Sequence, residues 1–419
     1  MAGRLLVERR LSIAGVTAIG VGFGFARYGY GLFLPDLRAE FDLSVSLTGV
    51  VASASYVGYL VALTLVGVLA ARFGPRPLIM AAGLSAGLGM AMVAFAPGVE
   101  VLVPGLILAG MSSGWAWAPY SDAVDRMLPT TRRDRVLALL PCGTAFAVVV
   151  AGPLALVTAG GHWRYAWMVF AGTALLVTVY NARVLPGGPH PTKHGDAGTG
   201  TRMSLSVMLS WLARGSAIPI YLTALCYGLS GAVYWSFAVE AITDAIRTGG
   251  PVAPLFWTLM GLAGTAGIFT GTVIGWLGLR RSHVVLISAM ALAITLLGAA
   301  PGNLAAITGS AVLYGSSFMA ISGLLAVWSY QVFPEQPSTG MSATVFALGI
   351  GTIIGPAALG AVADRYGFPL ALVVAGGLFA LTLAARPAAT PRPQRSVAEG
   401  PVTEGAVAKS GTEPDHENL

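Results

Sequence analysis

Residues 11–35 read LSIAGVTAIGVGFGFARYGYGLFLP, and this stretch decides the fold class. It is long enough to cross a bilayer as one helix, because about 20 apolar residues span the hydrocarbon core. It also carries Arg27, and a cation at the centre of a membrane helix costs about 2.5–3.5 kcal/mol. We therefore predict a first membrane helix that presents Arg27 to a polar path inside a helix bundle. The alternative is a structural arginine held by one carboxylate or by backbone carbonyls.

Composition indicates a protein that lies largely inside a lipid bilayer. Of the 419 residues, 55% are hydrophobic and 10% are charged, and the mean hydropathy is +0.75, whereas about 25% of the residues of a soluble domain are charged. The apolar runs predict an all-α polytopic membrane protein with twelve transmembrane helices, spans 1 to 12. Their predicted limits are 11–35, 45–70, 77–97, 101–125, 136–159, 164–185, 216–243, 254–279, 283–300, 303–328, 339–362 and 367–386.

The positive charges fall on one side of this topology. With the N-terminus in the cytoplasm, 19 of the 24 Lys and Arg residues lie in inner segments and four in outer loops, and Arg27 lies inside span 1. Cytoplasmic loops are enriched in Lys and Arg, so we expect a multi-pass protein of the cell (inner) membrane with both termini cytoplasmic. The net charge of +6 then needs no nucleic-acid partner.

The chain divides into two halves of six spans. Residues 186–201 read PGGPHPTKHGDAGTGT, a composition typical of linkers. We predict an N-terminal half at 1–185, a cytoplasmic linker at 186–215, a C-terminal half at 216–386 and a disordered cytoplasmic tail at 387–419.

The two halves repeat one another in sequence. Gly67 and Arg72 after span 2 match Gly275 and Arg280 after span 8, an offset of 208. A glycine inside span 4 and the proline after that span (Gly110, Pro129) match the glycine inside span 10 and the proline after it (Gly315, Pro334) at an offset of 205, and Gly152-Pro153 matches Gly355-Pro356 at 203. Two related halves are the arrangement of transporters that bind substrate between their halves.

The loop after span 2 carries a family resemblance. Gly67-x-Leu-Ala-Ala-Arg72-x-Gly74-Pro-Arg76 is similar to the signature loop of the major facilitator superfamily, Gly-x-Leu-Ala-Asp-Arg-x-Gly-Arg-Arg. The resemblance covers roughly residues 11–386 and implies that this loop acts in the conformational change. Here Ala71 replaces the signature aspartate and Pro75 replaces an arginine, which puts the family's charged latch in doubt.

Two further stretches resemble a bacterial branch of that superfamily, the YbfB-type transporters. They are Gly22-Phe-Gly-Phe-Ala-Arg27-Tyr28 and Gly114-Trp-Ala-Trp-Ala-Pro-Tyr-Ser-Asp122. Apart from the resemblance, the two Gly-Pro pairs, Gly152-Pro153 and Gly355-Pro356, remove a backbone donor each and predict helix kinks. The alternative is that they only improve packing.

Aromatic residues near Arg27 and in spans 4 and 7 predict a substrate-binding cavity. Each of them could instead belong to an interfacial belt or to helix packing. The predicted substrate-binding residues are Arg27, Tyr28, Tyr30, Trp115, Tyr120, Tyr227, Tyr234 and Trp235.

Two carboxylates are candidates for proton coupling. Glu240 lies in the outer half of span 7, where a low-dielectric setting disfavours a charged carboxylate, but it could be a solvated group beside Asp244. When the two halves are aligned, Glu240 corresponds to Leu34. We expect this position to be too far from Arg27 for a direct ion pair. Asp122 lies near the inner end of span 4, and it could instead pair with Arg126 four residues later.

We predict a secondary active transporter, not an enzyme, that moves a small organic solute by alternating access. Both lysines, Lys193 and Lys409, lack a preceding glycine, so there is no Walker A loop, and we expect no cofactor and no metal. One membrane-depth cation favours an anionic substrate, with proton coupling as an option. The alternatives are proton-driven efflux of amphipathic compounds and a transporter-like ligand sensor. The expected partners are the substrate, the lipid bilayer and protons, and we expect a monomer.

Overall fold

Helices make up all the regular secondary structure of the described part of the chain. The structure is a computed structural model that describes residues 2–188, 214–246 and 250–387. Ten helices in these ranges are long and apolar enough to cross a membrane. They correspond to predicted spans 2 to 11, and the all-α membrane fold is confirmed. Most of the predicted linker and nearly all of the predicted tail lie outside the described residues.

The ten long spans have the following helical limits. They are Val45–Phe73, Pro75–Ala94, Val99–Met127, Cys142–Val157, Trp163–Val184, Ile218–Ile246, Val252–Gly264 continued by a 3₁₀ turn to Thr270–Leu277, Leu279–Ala299, Leu304–Val332 and Pro337–Tyr366. Two shorter helices, Leu34–Phe41 and Thr130–Leu139, lie between spans.

The first and last predicted spans are less regular than the others. Span 12 is the helix Phe368–Ala380 followed by the 3₁₀ turn Leu381–Ala384. Span 1 begins as the α-helix Ala2–Ile19, continues as a π-helix over Gly20–Arg27, and ends as the short helix Gly29–Leu32. The expectation of one continuous helix over 11–35 is therefore wrong, and Arg27 ends a widened helical segment of a kind often found at functional sites.

Glycines explain how span 1 fits among its neighbours. A Cβ on Gly24 would overlap Ala147 of span 5, one on Gly22 would touch Ser112 and Ser113 of span 4, and one on Gly31 would overlap the carbonyl oxygen of Trp235. Small residues let membrane helices approach closely. Span 1 therefore contacts both halves of the bundle.

The repeat is visible in the structure, with one change of register. Spans 2 and 8 both end on a glycine of positive φ, Gly74 (φ 74°) and Gly278 (φ 77°), a conformation that favours glycine because it has no Cβ. These ends are 204 residues apart, close to the other offsets of 205 and 203. The sequence match of Gly67 with Gly275 is thus about one helical turn out of register.

The halves meet along two pairs of helices. Span 2 packs on span 11, where Ser53 Oγ donates to the Ile353 carbonyl at 2.6 Å. Span 5 packs on span 8, where a Cβ on Gly152 would overlap Thr258. Spans 5 and 11 run through Pro153 and Pro356 without a break, and Gly355 lies against the backbone of Leu229 in span 7. The Gly-Pro pairs are thus points of close helix contact.

Candidate functional site

Arg27 lies inside the bundle among aromatic rings. It is 7% exposed, and its guanidinium carbon is 4.0 Å from the ring centroid of Tyr59 and 4.9 Å from that of Tyr56, both in span 2. The rings of Phe23 and Tyr28 are at 5.5 and 5.7 Å. A cation over an aromatic face is stabilised by about 2 kcal/mol when both are desolvated. The rings therefore stabilise the charge of Arg27 without neutralising it.

Among the described residues, no carboxylate forms a salt bridge with Arg27. The buried Nε atom also has no hydrogen-bond partner. A buried charged donor without a partner is costly. In the described part of the chain, the alternative of an arginine held by one carboxylate thus has no support.

A small cavity of about 10 Å³ adjoins Arg27 between the two halves. This volume has room for about one water molecule. Its lining residues come from spans 1, 2 and 7, so both halves contribute to it. They are Arg27, Tyr30, Gly31, Ala52, Ser55, Tyr56, Trp235 and Ser236.

Aromatic rings of the second half close one side of this site. Tyr28 of span 1 stacks on Trp235 of span 7 with ring centroids 4.0 Å apart. Phe318 of span 10 is edge-on to both rings, at 6.3 and 5.5 Å. Tyr227 lies at 5.0 Å from Phe318 and donates to its carbonyl oxygen at 2.8 Å. The structure thus brings together Arg27, Tyr28, Tyr227 and Trp235, four of the predicted binding residues.

Of the other four predicted binding residues, Tyr30 also reaches this site, and the remaining three have different surroundings. The Tyr30 ring lines the cavity, but its hydroxyl donates to the Thr48 carbonyl at 2.9 Å. Tyr120 is fully buried and hydrogen-bonds Asn181 of span 6. Tyr234 hydrogen-bonds Ser310 at 2.6 Å. Trp115 is 8% exposed and packs in an apolar cluster of the first half. Tyr120 and Tyr234 hold helices together within one half.

Sequence reasoning missed Tyr56, Tyr59 and Ser236. Tyr56 and Tyr59 are three residues apart in span 2 and therefore lie on one face of that helix. A pair of tyrosines at this spacing in an otherwise apolar span was the available signal. Ser236 follows Trp235 directly, and no pattern in the sequence distinguishes it from the other serines of the spans.

The proton-coupling candidates lie at opposite ends of the bundle. Glu240 is 3% exposed and pairs with Arg38 of the helix Leu34–Phe41, with Nη1 and Oε1 2.7 Å apart. Asp244 lies 4.0 Å from the same nitrogen. We call this region, residues 33–44 with 240–246, the Arg38 end. The interpretation of Glu240 as a solvated carboxylate is wrong, because Glu240 is buried and pairs with Arg38. This pair joins the two halves.

Asp122 lies at the other end, beside the loop that resembles the superfamily signature. It pairs with Arg126 at 2.8 Å, as the four-residue spacing allowed. Arg126 also donates to the Gly188 carbonyl at 2.8 Å, and that carbonyl lies against Gly74. Arg72 is exposed and Arg76 is half-buried. We call this region, residues 72–76 with 122–126, the Gly74 end.

Comparison with known proteins shows the family. The chain belongs to the family described as uncharacterised MFS-type transporter YbfB, which matches residues 19–386. Human monocarboxylate transporter 11 is 28% identical over 385 residues, 86% of this chain and 78% of that protein. The probable sulfoacetate transporter SauU of Cupriavidus necator is 24% identical over 402 residues, 89% of this chain and 92% of that protein.

A solved structure with the same fold is a bacterial homologue of the human lysosomal transporter Spinster. It has a TM-score of 0.74 at 13% identity and covers 90% of this chain and 96% of its own. The chain is therefore a multi-pass membrane transporter of the major facilitator type.

The contact of Gly31 with Trp235 predicts a conformational effect. Gly31→Ala should separate span 1 from span 7 beside the cavity, because the new methyl group overlaps the Trp235 carbonyl and overpacking costs about 1–3 kcal/mol. A cysteine at Ser236, in a protein with Cys142 and Cys226 replaced by serine, should then react with a thiol reagent about fivefold faster or more. Gly29→Ala is the matched control, since a Cβ there meets Trp167 only at 3.5 Å, and it should leave the rate unchanged. Equal rates for both variants would contradict the assignment of this contact.

Proposed function

We propose that this transporter moves a small organic anion by alternating access and that Arg27 binds the anionic group. One observation carries the proposal: a guanidinium that is 7% exposed, has no carboxylate partner among the described residues and adjoins a cavity lined by both halves. A buried cation is destabilising until an anion compensates it. A transported anion would supply that charge when it binds.

The names of two relatives support an acidic substrate. One is a monocarboxylate transporter and the other a probable sulfoacetate transporter. Carboxylate and sulfonate groups both accept hydrogen bonds from a planar guanidinium in a bidentate geometry. Arg27 suits either group, and this supports an organic acid over a neutral solute.

Three contacts between the halves support alternating access. The Arg38–Glu240 pair, the close approach of Gly31 to Trp235 and the Ser53 hydrogen bond to Ile353 all join the two halves. They must separate for the cavity to open towards the Arg38 end. We propose that the Arg38 end faces outwards and that both termini are cytoplasmic. The reason is that most Lys and Arg residues lie in segments at the other end of the bundle, and cytoplasmic segments are enriched in these residues.

We further propose that Glu240 couples this opening to protons. Its carboxylate faces Arg38 at 2.7 Å, while Asp36, Asp244 and the Tyr30 ring also lie within electrostatic range. Protonation of Glu240 would remove the negative partner of Arg38 and weaken the contact between the halves. Asp122 is the weaker candidate, since its pair with Arg126 stays within span 4.

Variants of Arg27 test the anion site. Arg27→Ala should abolish uptake of organic acids into proteoliposomes and remove the increase in thermal stability that a bound acid produces, which grows as RT ln(1 + [L]/Kd). Arg27→Lys should keep part of the binding, because an ammonium keeps the charge but not the planar fork. Arg281→Ala changes an exposed arginine and should behave like the wild type. Normal transport by Arg27→Ala would refute the proposal.

Glu240→Gln tests proton coupling. In proteoliposomes with an imposed pH gradient, the variant should lose gradient-driven accumulation while substrate exchange continues, because glutamine keeps the shape but cannot take up a proton. Asp244→Asn is the control, since Asp244 is largely exposed and 4.0 Å from Arg38. Undiminished accumulation by Glu240→Gln would show that protons are coupled elsewhere or not at all.

The orientation can be tested with single cysteines in a protein that lacks Cys142 and Cys226. Arg9 and Glu100 are both exposed and lie at opposite ends of the bundle. In intact cells an impermeant thiol reagent should label a cysteine at Glu100 and not one at Arg9. The reverse result would invert the proposed topology. Lys193 and Lys409, which the sequence also places inside, lie outside the described residues.

A further inference from the structure

We infer that Trp235 is the second donor of the anion site, and that the substrate is a monoanion whose carboxylate or sulfonate group bridges Arg27 and Trp235 and whose body is apolar and flat. This inference rests on the proposed function and specifies its substrate class. Three observations carry it: the donors, the charge and the rings around the cavity.

The first observation concerns hydrogen-bond donors. Arg27 Nε and Trp235 Nε1 are both buried and have no partner, and the two side chains are 7% and 4% exposed. Both residues line the same small cavity. Several buried side-chain donors of the described residues have no partner, but Arg27 Nε and Trp235 Nε1 are the two among them that line this cavity, so one acceptor between them would pair both. An acid group has the two or more oxygens that this requires.

The second observation concerns charge. Arg27 is the single ionisable cation among the residues that line the cavity, and no carboxylate is among them. Glu240, the acidic residue nearby in span 7, already pairs with Arg38. One negative charge on the substrate therefore balances the site. A dianion would leave one charge unpaired at membrane depth, which is strongly unfavourable.

The third observation concerns the rings. The cavity itself has room for about one water, so the rest of the substrate must occupy space that opens when the halves move. The stack of Tyr28 on Trp235 joins the halves at this level, and Phe318 lies edge-on to it. An opening that separates Tyr28 from Trp235, while Trp235 Nε1 stays on the same cavity as Arg27, makes the faces of these rings available. A flat apolar body would cover them, as aromatic rings do in offset stacks.

The arrangement also links binding to conformation. Arg27 belongs to the first half and Trp235 to the second, so an anion held by both favours the arrangement in which they are close. A ligand shifts an equilibrium only by its difference in affinity for the two states. The shared anionic group would supply that difference.

The first experiment measures thermal stabilisation of the full-length wild-type protein by five small probes. Benzoate and benzenesulfonate should stabilise it at lower concentration than acetate, which lacks the flat body. Benzamide, which has the body without the charge, and terephthalate, which carries two charges, should bind at least about tenfold more weakly than benzoate. Equal binding of acetate and benzoate would overturn the assignment of a flat body, and preferred binding of terephthalate would overturn that of a single charge.

The second experiment tests the second donor with a matched pair of substitutions. Trp235→Phe keeps a ring and removes the N–H, and it should raise the Kd for benzoate about tenfold or more, as expected for a hydrogen bond to a charged group. Trp167→Phe makes the same change at a tryptophan of span 6 whose Nε1 is also buried and unpaired but which does not line the cavity. It should leave the Kd unchanged.

The outcomes separate this inference from the proposed function. If Arg27→Gln abolishes benzoate binding and Trp235→Phe does not weaken it, the anion site stands and the second donor is refuted. If Arg27→Gln binds benzoate as the wild type does, the proposed function itself fails. Equal weakening by Trp235→Phe and Trp167→Phe would show a general effect of packing and would also refute the second donor.

Discussion

The burial of Arg27 is the constraint on which the rest of the structure depends. An arginine at the centre of a membrane helix costs about 2.5–3.5 kcal/mol, while a desolvated contact with an aromatic face returns about 2 kcal/mol. The rings of Tyr59 and Tyr56, at 4.0 and 4.9 Å, therefore offset much of the cost of keeping the cation inside the bundle. They do so without adding negative charge, so the site keeps its attraction for an anion. A carboxylate in the same place would have stabilised the buried arginine more strongly. The proposed anion site would then have had no net positive charge to attract an acid.

Such close aromatic contacts require helices that approach one another nearly to backbone contact. Gly22 and Gly24 let spans 4 and 5 pack against span 1, and Gly31 lets span 7 do the same from the other half. Most of these contacts are between glycine and a backbone carbonyl or small side chain, which is typical of membrane helices that cannot rely on the hydrophobic effect between them. Glycine contacts of this kind leave little space between the helices, so two helices joined by them are either closely packed or apart. They suit a bundle whose halves alternate between two arrangements.

Most of the fold could be predicted from the sequence, because length and hydropathy alone specify a helix in a bilayer. Arg27 could also be singled out, since a charge in an apolar run needs an explanation. The partners could not. Glu240 and Arg38 are 202 residues apart, and only the packing of span 7 on the helix Leu34–Phe41 brings them together. Tyr120 and Tyr234 are tyrosines in apolar spans, as Tyr28 is, yet their hydroxyls bond Asn181 and Ser310. Which way a tyrosine points depends on the rotation of its helix in the bundle, and hydropathy does not determine that rotation.

The order of charges along the first segment has a mechanical consequence. Arg27 ends the π-helical part of span 1, and Arg38 lies on the next helix but one, with the breaks at Tyr28 and Phe33 between them. Both arginines belong to the first half, and both lie next to span 7 of the second half. Arg27 shares the cavity with Trp235, and Arg38 forms the ion pair with Glu240. A movement of span 7 that changes the Arg38–Glu240 pair must therefore also change the cavity at Arg27, unless the chain bends at the two helix breaks. A continuous helix would transmit the movement fully and would hold the two contacts in one fixed relation. Under the proposed alternating access, a segmented helix allows the Arg38–Glu240 pair to separate while the contacts around Arg27 remain.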